Sequence, residues 1–193
     1  PHDAKTWNAK AEQAVREMLS GPKGEFIVAV GECGLDFNRM FSPQADQEAA
    51  FEAQLRIAAE FKLPLFLHER DAHEVFCRIL RKHRAELTAP VVVHCFTGTL
   101  EQVRTLVDEL DCYIGLTGFI CDEREGRGAH LGEVAAFIPA DRLLIETDAP
   151  FILPRNIPRA VQRVSVISGR CEPWMVVYVL QKLAQLRGLK SAE

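Results

Sequence analysis

The repetition of short apolar runs, each ending in a side chain able to bind a metal, most limits the folds open to this chain. Phe26–Gly31 ends in Glu32, Pro64–Leu67 in His68, Pro90–Val93 in His94, and Leu143–Thr147 in Asp148. Runs this short and this apolar read as strands covered on both faces, as in a parallel sheet. In a parallel barrel or an open α/β sheet all strands point the same way. Their last residues therefore gather on one rim, where such folds do their chemistry. Two imidazoles and two carboxylates on one rim suit a divalent cation and point to metal-assisted hydrolysis.

Helical patterns separate the runs. Trp7, Ala11, Ala14, Val15, Met18 and Leu19 fall near helical spacing, and Gly21-Pro22-Lys23-Gly24 stops that helix. A strand over Phe26–Gly31 leads through a loop to a helix over Gln44–Phe61. Its inner face carries Phe51, Leu55, Ala58 and Ala59, with Gln47, Glu48, Glu52 and Arg56 largely off it. Strand Leu65–His68, helix Ala72–Lys82, strand Val91–His94, helix Leu100–Leu110 and strand Tyr113–Leu116 follow. After a polar, Gly-rich stretch from Cys121 to Gly128 come a helix around Leu131–Phe137 and a strand over Arg142–Glu146. This alternation is that of successive βαβ units. Pro150, Pro154, Pro158 and Pro173 mark an irregular segment, and a last amphipathic helix starts at about Pro173.

With 193 residues, 48% hydrophobic and 26% charged, the chain has the composition of one globular domain, taken here as residues 1–193. A net charge of -4 gives no overall pull toward nucleic acid, although bound cations would reverse the field locally. Six cysteines without a C-x-x-C pair read as reduced thiols, which fits a cytoplasmic protein, or a nuclear one in a eukaryote. No run approaches the length of a membrane span.

Singly, each site residue has a plainer reading. A histidine at a strand end is more often a hydrogen-bonded core residue, and an aspartate before Ala-Pro a turn former. Their conjunction favours a metal, because an uncompensated carboxylate beside buried strands is costly. Cys33 and Cys95 neighbour proposed ligands and, by strand alternation, should face the helices. His73, His83 and His130 read as solvated, and Asp122-Glu123-Arg124-Glu125 as a solvated loop.

Gly31-Glu32-Cys33-Gly34-Leu35-Asp36-Phe37, followed by Gln47-x-x-x-Phe51-x-x-Gln54-Leu55-x-x-Ala58, resembles the TatD family of metal-dependent deoxyribonucleases. So do Leu63-Pro64-Leu65 to His68-x-Arg70-Asp71-Ala72, His94-Cys95-Phe96-Thr97-Gly98, Gly115-x-x-Gly118 and Glu146-Thr147-Asp148-Ala149-Pro150. The segments stand in family order across nearly the whole chain. The resemblance implies an amidohydrolase-like barrel of the TIM (β/α) type. It also implies one or two divalent metals, Mg²⁺ or Mn²⁺ first and Zn²⁺ next, and hydrolysis of phosphodiester bonds in single-stranded DNA or RNA from a chain end, in repair or fragmentation of DNA. Carried over by position, Glu32 is the bridging carboxylate and His68 and His94 ligate one metal. Asp148 is both a ligand and the general base for the attacking water. Arg70 resembles the family's phosphate-contacting position, its plainer reading being an ion pair with Asp71 or Glu74. His2 falls in what resembles a Gly-x-His-Pro-His segment near the substrate phosphate, its plainer reading being a loose terminus.

The chain departs from the family at its ends. About three further strands would precede Phe26, so about five of the eight strands of a closed barrel are present. That incomplete barrel would leave unpaired edges open to self-association. Arg170-Cys171-Glu172-Pro173 stands where the family has Arg-Asn-Glu-Pro, and Val161–Gly169 differs from the expected basic loop. Two other functions fit the same ligands: a hydrolase of small amides, esters or phosphoesters, and an inactive fragment that acts through association.

Overall fold

A strand starts where it finds a partner, and this rule sets the beginning of the sheet. The computed structural model describes residues 1–165 and 169–189, and it divides into two compact units. The first comprises residues 1–94 with 108–113, the second 95–107 with 114–193.

In the first unit, α1 (Ala9–Ser20) is capped by the Asn8 side chain, which accepts the Lys10 and Ala11 amides. The strand expected over Phe26–Gly31 is displaced: β1 runs Val30–Asp36, and Phe26 and Val28 are 75% and 78% exposed. The partner strand explains the shift. Helix α2 (Gln44–Phe61) ends in a left-handed Lys62, and β2 (Leu65–Arg70) begins three residues later, so residues before Val30 have no ladder to join. Helix α3 (His73–His83) and β3 (Val91–His94) complete the unit's βαβαβ run, with β1, β2 and β3 paired in parallel. Phe51 of α2 and Phe76 of α3 stack at 5.1 Å, both fully buried.

The ladder between β1 and β2 contains a bulge. Gly31 pairs with Phe66 and Cys33 with Leu67, so Glu32 is an extra residue. Partnered residues of a parallel pair share a face, and alternate residues share it along each strand. Gly31, Glu32, Gly34 and Asp36 therefore lie on one face with Phe66, His68, Arg70, Val92 and His94. The opposite face carries Val30, Cys33, Leu35, Leu65, Leu67, Val91 and Val93, all buried.

In the second unit, α4 (Leu100–Arg104) opens with a Thr99–Gln102 capping box and passes into a π-helical turn at Thr105–Glu109, where a single helix was expected. Residues 114–116 of β4 (Cys112–Leu116) pair in parallel with β5 (Leu143–Ile145). Between them lie a 3₁₀ turn at Gly118–Cys121 and α5 (Leu131–Phe137). Leu144 and Ile145 are exposed, against the expectation of a strand covered on both faces, because among the described residues β5 pairs on one side only. After the proline-rich segment come α6 (Arg159–Ser165) and α7 (Val176–Leu186), the latter entered through a 3₁₀ turn from Pro173. The expected departure at Val161–Gly169 falls partly on 166–168, outside the described residues. Parallel βα units of this kind are those of a TIM-type barrel, and five parallel strands are present. Among the described residues no helix is long and apolar enough to cross a membrane.

Candidate metal centre

Three of the four expected ligands meet on one face of the first unit. His68 of β2 and His94 of β3 are direct partners in the ladder, and the bulge turns Glu32 toward both. Glu32 Oε1 lies 2.9 Å from His68 Nδ1 and 3.0 Å from His94 Nε2, and the two ring nitrogens are 3.4 Å apart. His94 is buried, held against the half-buried Phe66 ring at 4.7 Å, whereas the Glu32 side chain is 43% exposed. The site face is thus fixed from behind and open in front. The imidazoles of His68 and then His94 beside it hold the Glu32 carboxyl well below the usual carboxylate range.

The donor set fits a divalent cation. Ligands at 2.0–2.1 Å from one ion, at octahedral to tetrahedral angles, stand about 2.8–3.4 Å apart, a range that contains the three edges found here. Two imidazoles and a carboxylate suit borderline to hard divalent metals.

A second group adjoins the first through His68. Asp36, at the end of β1 and 1% exposed, places Oδ2 3.1 Å from His68 Nε2 and 3.0 Å from His2 Nε2. Its Oδ1 accepts the backbone amides of Asn38 and Arg39 at 3.0 and 2.6 Å. Burial alone would raise the Asp36 pKa, but the Arg39 amide and His2 bring it below its ordinary value. Gln47 braces the same residue. Its Oε1 accepts the Asp36 amide at 2.8 Å, and its Nε2 donates to the Asp36 and Ser42 carbonyls.

Asp36 and Gln47 were both within reach of the sequence. Asp36 lies four residues beyond Glu32, an even step that puts it on the ligand's face once the strand is known to continue. Gln47 precedes Phe51 by four residues and so shares its buried helical face, although its polarity suggested otherwise.

His2 is anchored rather than loose: besides Asp36, its carbonyl accepts the buried Ser42 hydroxyl at 2.7 Å. Arg70 lies on the His68 face of β2, half-buried, and makes no ion pair with Asp71 or Glu74 among the described residues. Asp148 belongs to the second unit. It is half-buried in a left-handed turn (φ 57°) three residues past β5, and its carbonyl accepts the Phe151 amide at 2.9 Å. Cys33 is buried behind the site, its thiol pushed up to about 12 by burial. Cys95 does not follow the alternation rule, because β3 stops at His94 and Cys95 turns left-handed (φ 47°).

Two further expectations are corrected. His83 is buried, with Nε2 3.1 Å from Glu52, because it falls on the inner face of α3. Asp122 is also buried, paired with Arg124 and Arg155, and these cations hold its carboxyl well below the usual range.

Known proteins resemble this chain in sequence and in fold. The family described as TatD related DNase matches residues 1–193. The "3'-5' ssDNA/RNA exonuclease TatD" of Escherichia fergusonii is 48% identical over 193 residues, which cover the whole chain and 69% of that protein. Its counterpart in Escherichia coli K12 is 47% identical over the same share. The crystal structure of a TatD homologue from Escherichia coli K12 superposes with a TM-score of 0.78 at 27% identity, covering 94% of this chain and 64% of that one. The chain therefore spans about two thirds of the length of these relatives. With one family matching from end to end, and relatives nearly half identical over all of it, the chain belongs to the TatD-related DNases.

Proposed function

We propose that this chain carries the metal-dependent nuclease site of its family and hydrolyses phosphodiester bonds of DNA or RNA strands from an end. The convergence of Glu32 Oε1, His68 Nδ1 and His94 Nε2 within 3.4 Å supports this reading most strongly. These three residues would hold the cation, Mg²⁺, Mn²⁺ or Zn²⁺. A divalent cation there lowers the pKa of water and offsets negative charge on the phosphoryl group.

The remaining roles belong to the protein's own groups. Arg70, on the His68 face and with no ion pair among the described residues, offers two parallel donors to a phosphate. Phe66 backs His94 and keeps solvent from its ring. Asp148 takes the proton of the attacking water, a role that rests on the Glu146–Pro150 motif.

The test is release of nucleotides from single-stranded DNA and RNA by the 193-residue chain with Mg²⁺, Mn²⁺ or Zn²⁺, beside His94→Ala. A ligand loss should lower the rate about 100-fold or more. Equal rates in the two proteins would remove His94 from the site. Turnover of small esters with nucleic acid untouched would replace the nuclease reading.

A further inference from the structure

His68 turns both ring nitrogens toward carboxylates: Nδ1 toward Glu32 at 2.9 Å and Nε2 toward Asp36 at 3.1 Å. A neutral imidazole has one proton to give, so one of these contacts sets a lone pair against a carboxylate oxygen. Which contact carries the proton decides whether His68 can be a ligand on the Glu32 side.

The surroundings of Asp36 decide it. An ionised carboxylate accepts about four hydrogen bonds and donates none. Asp36 fills Oδ1 with the Asn38 and Arg39 amides, and among the described residues His2 Nε2 and His68 Nε2 face Oδ2. The carboxylate is 1% exposed, and Oδ2 has room for a donor from each ring, so a His68 lone pair turned toward it at 3.1 Å would face a buried negative charge with no solvent to screen it. Its backbone is clamped through both amide and carbonyl by the fully buried Gln47, so it cannot turn away. Glu32 is 43% exposed and can be satisfied by solvent or a cation. The proton therefore belongs on Nε2.

We infer that Asp36 is a positioning residue: it holds His68 as the Nε2–H tautomer and thereby presents Nδ1 as the lone pair that meets Glu32 and His94. The inference deepens the proposed metal centre and rests on it for the use of Nδ1. The Nε2 proton itself can be observed without any metal. It also separates the two clusters that share His68. On the Asp36–His2 side the carboxylate already takes two backbone amides and faces two ring nitrogens, and the Glu32–His94 side, more exposed, is where a cation completes the bonding.

Two measurements test this on the whole chain. The first is the protonation of the His68 ring nitrogens by ¹⁵N NMR, with and without Zn²⁺. Nε2 should carry its proton in both states, and His2→Ala should leave it there. A neutral His68 protonated at Nδ1, or loss of the Nε2 proton when Zn²⁺ is added, would overturn the inference. The second is Zn²⁺ and Mn²⁺ affinity by calorimetry for Asp36→Asn, which keeps the shape of the residue but not its acceptor-only character. Binding should weaken about 10- to 100-fold, and unchanged affinity in a folded variant would count against the inference. Should Asp36→Asn fail to fold, the wild-type tautomer decides alone. Should the wild type bind no metal while Nε2 stays protonated, the metal centre falls and the orienting contact stands.

Discussion

The ligand atoms lie within a few tenths of an ångström of coordination spacing because the backbones beneath them approach closely, and Gly34 permits that approach. It has φ +134°, and a Cβ there would sit 2.0 Å from the His68 carbonyl oxygen. Gly34→Ala should therefore cost roughly 2 kcal/mol of stability through backbone strain and push β2 outward at His68. Chemical denaturation and metal affinity should both register the change, and a variant as stable as wild type would show that the strands can slide apart freely. At this scale the sequence showed the ligands well. Glu32, His68 and His94 stand after or within apolar runs, where a charged or titratable group is conspicuous. It showed their supports poorly. Asp36 looks like a turn residue and Gln47 like a surface one, since neither type declares burial unless its partners are known.

Among the elements, α3 follows the hydrophobic periodicity closely, because it has a strong apolar face, and β3 stands out as an unbroken run of valines. β1 does not, because pairing as well as apolarity sets a strand's limits, and the position of β2 is not written in residues 26–31. The π-helical turn after α4 was equally hidden, as backbone hydrogen-bond spacing leaves no clear mark on side-chain type. The α2–α3 contact offers a test of electrostatics between elements. Glu52 accepts from Lys82 and from the buried His83, and these partners, Lys82 first, lower its pKa. A depressed carboxyl stabilises the fold above its unfolded value, about 4.3, and ceases to do so as pH falls through the folded value. Glu52→Gln should thus lose about 0.5–1 kcal/mol at pH 7, kept small because the Lys82 side chain is 66% exposed. The loss should fade below about pH 4. Urea denaturation of both proteins across that range would show it, and a constant difference would refute the ion-pair origin.

For the molecule as a whole, binding at the Glu32–His68–His94 site should appear as stability. A cation present at 100 times its dissociation constant adds about 2.7 kcal/mol to the state that binds it. All three ligands lie in the first unit, so if heating resolves two transitions, the one that moves with added Zn²⁺ or Mn²⁺ should be that of residues 1–94. A chelator should reverse the shift, and His68→Ala should abolish it. Equal movement of both transitions, or movement retained in His68→Ala, would place the binding elsewhere. The five parallel strands and the family were legible at this scale because the motifs recur in order along the chain.

Because Glu32 is the additional residue in a ladder otherwise in register, β1 works as a ruler of fixed length. Its pairing is set on both sides of the bulge, so residues added before Val30 leave the later side chains aimed as they are. One residue lost between Glu32 and Asp36 inverts parity instead: either Glu32 or Asp36 must turn to the face now held by Cys33 and Leu35. The loop before this strand can drift in length while the seven residues of the strand cannot, and a search for working variants would find spacing guarded here as strictly as identity.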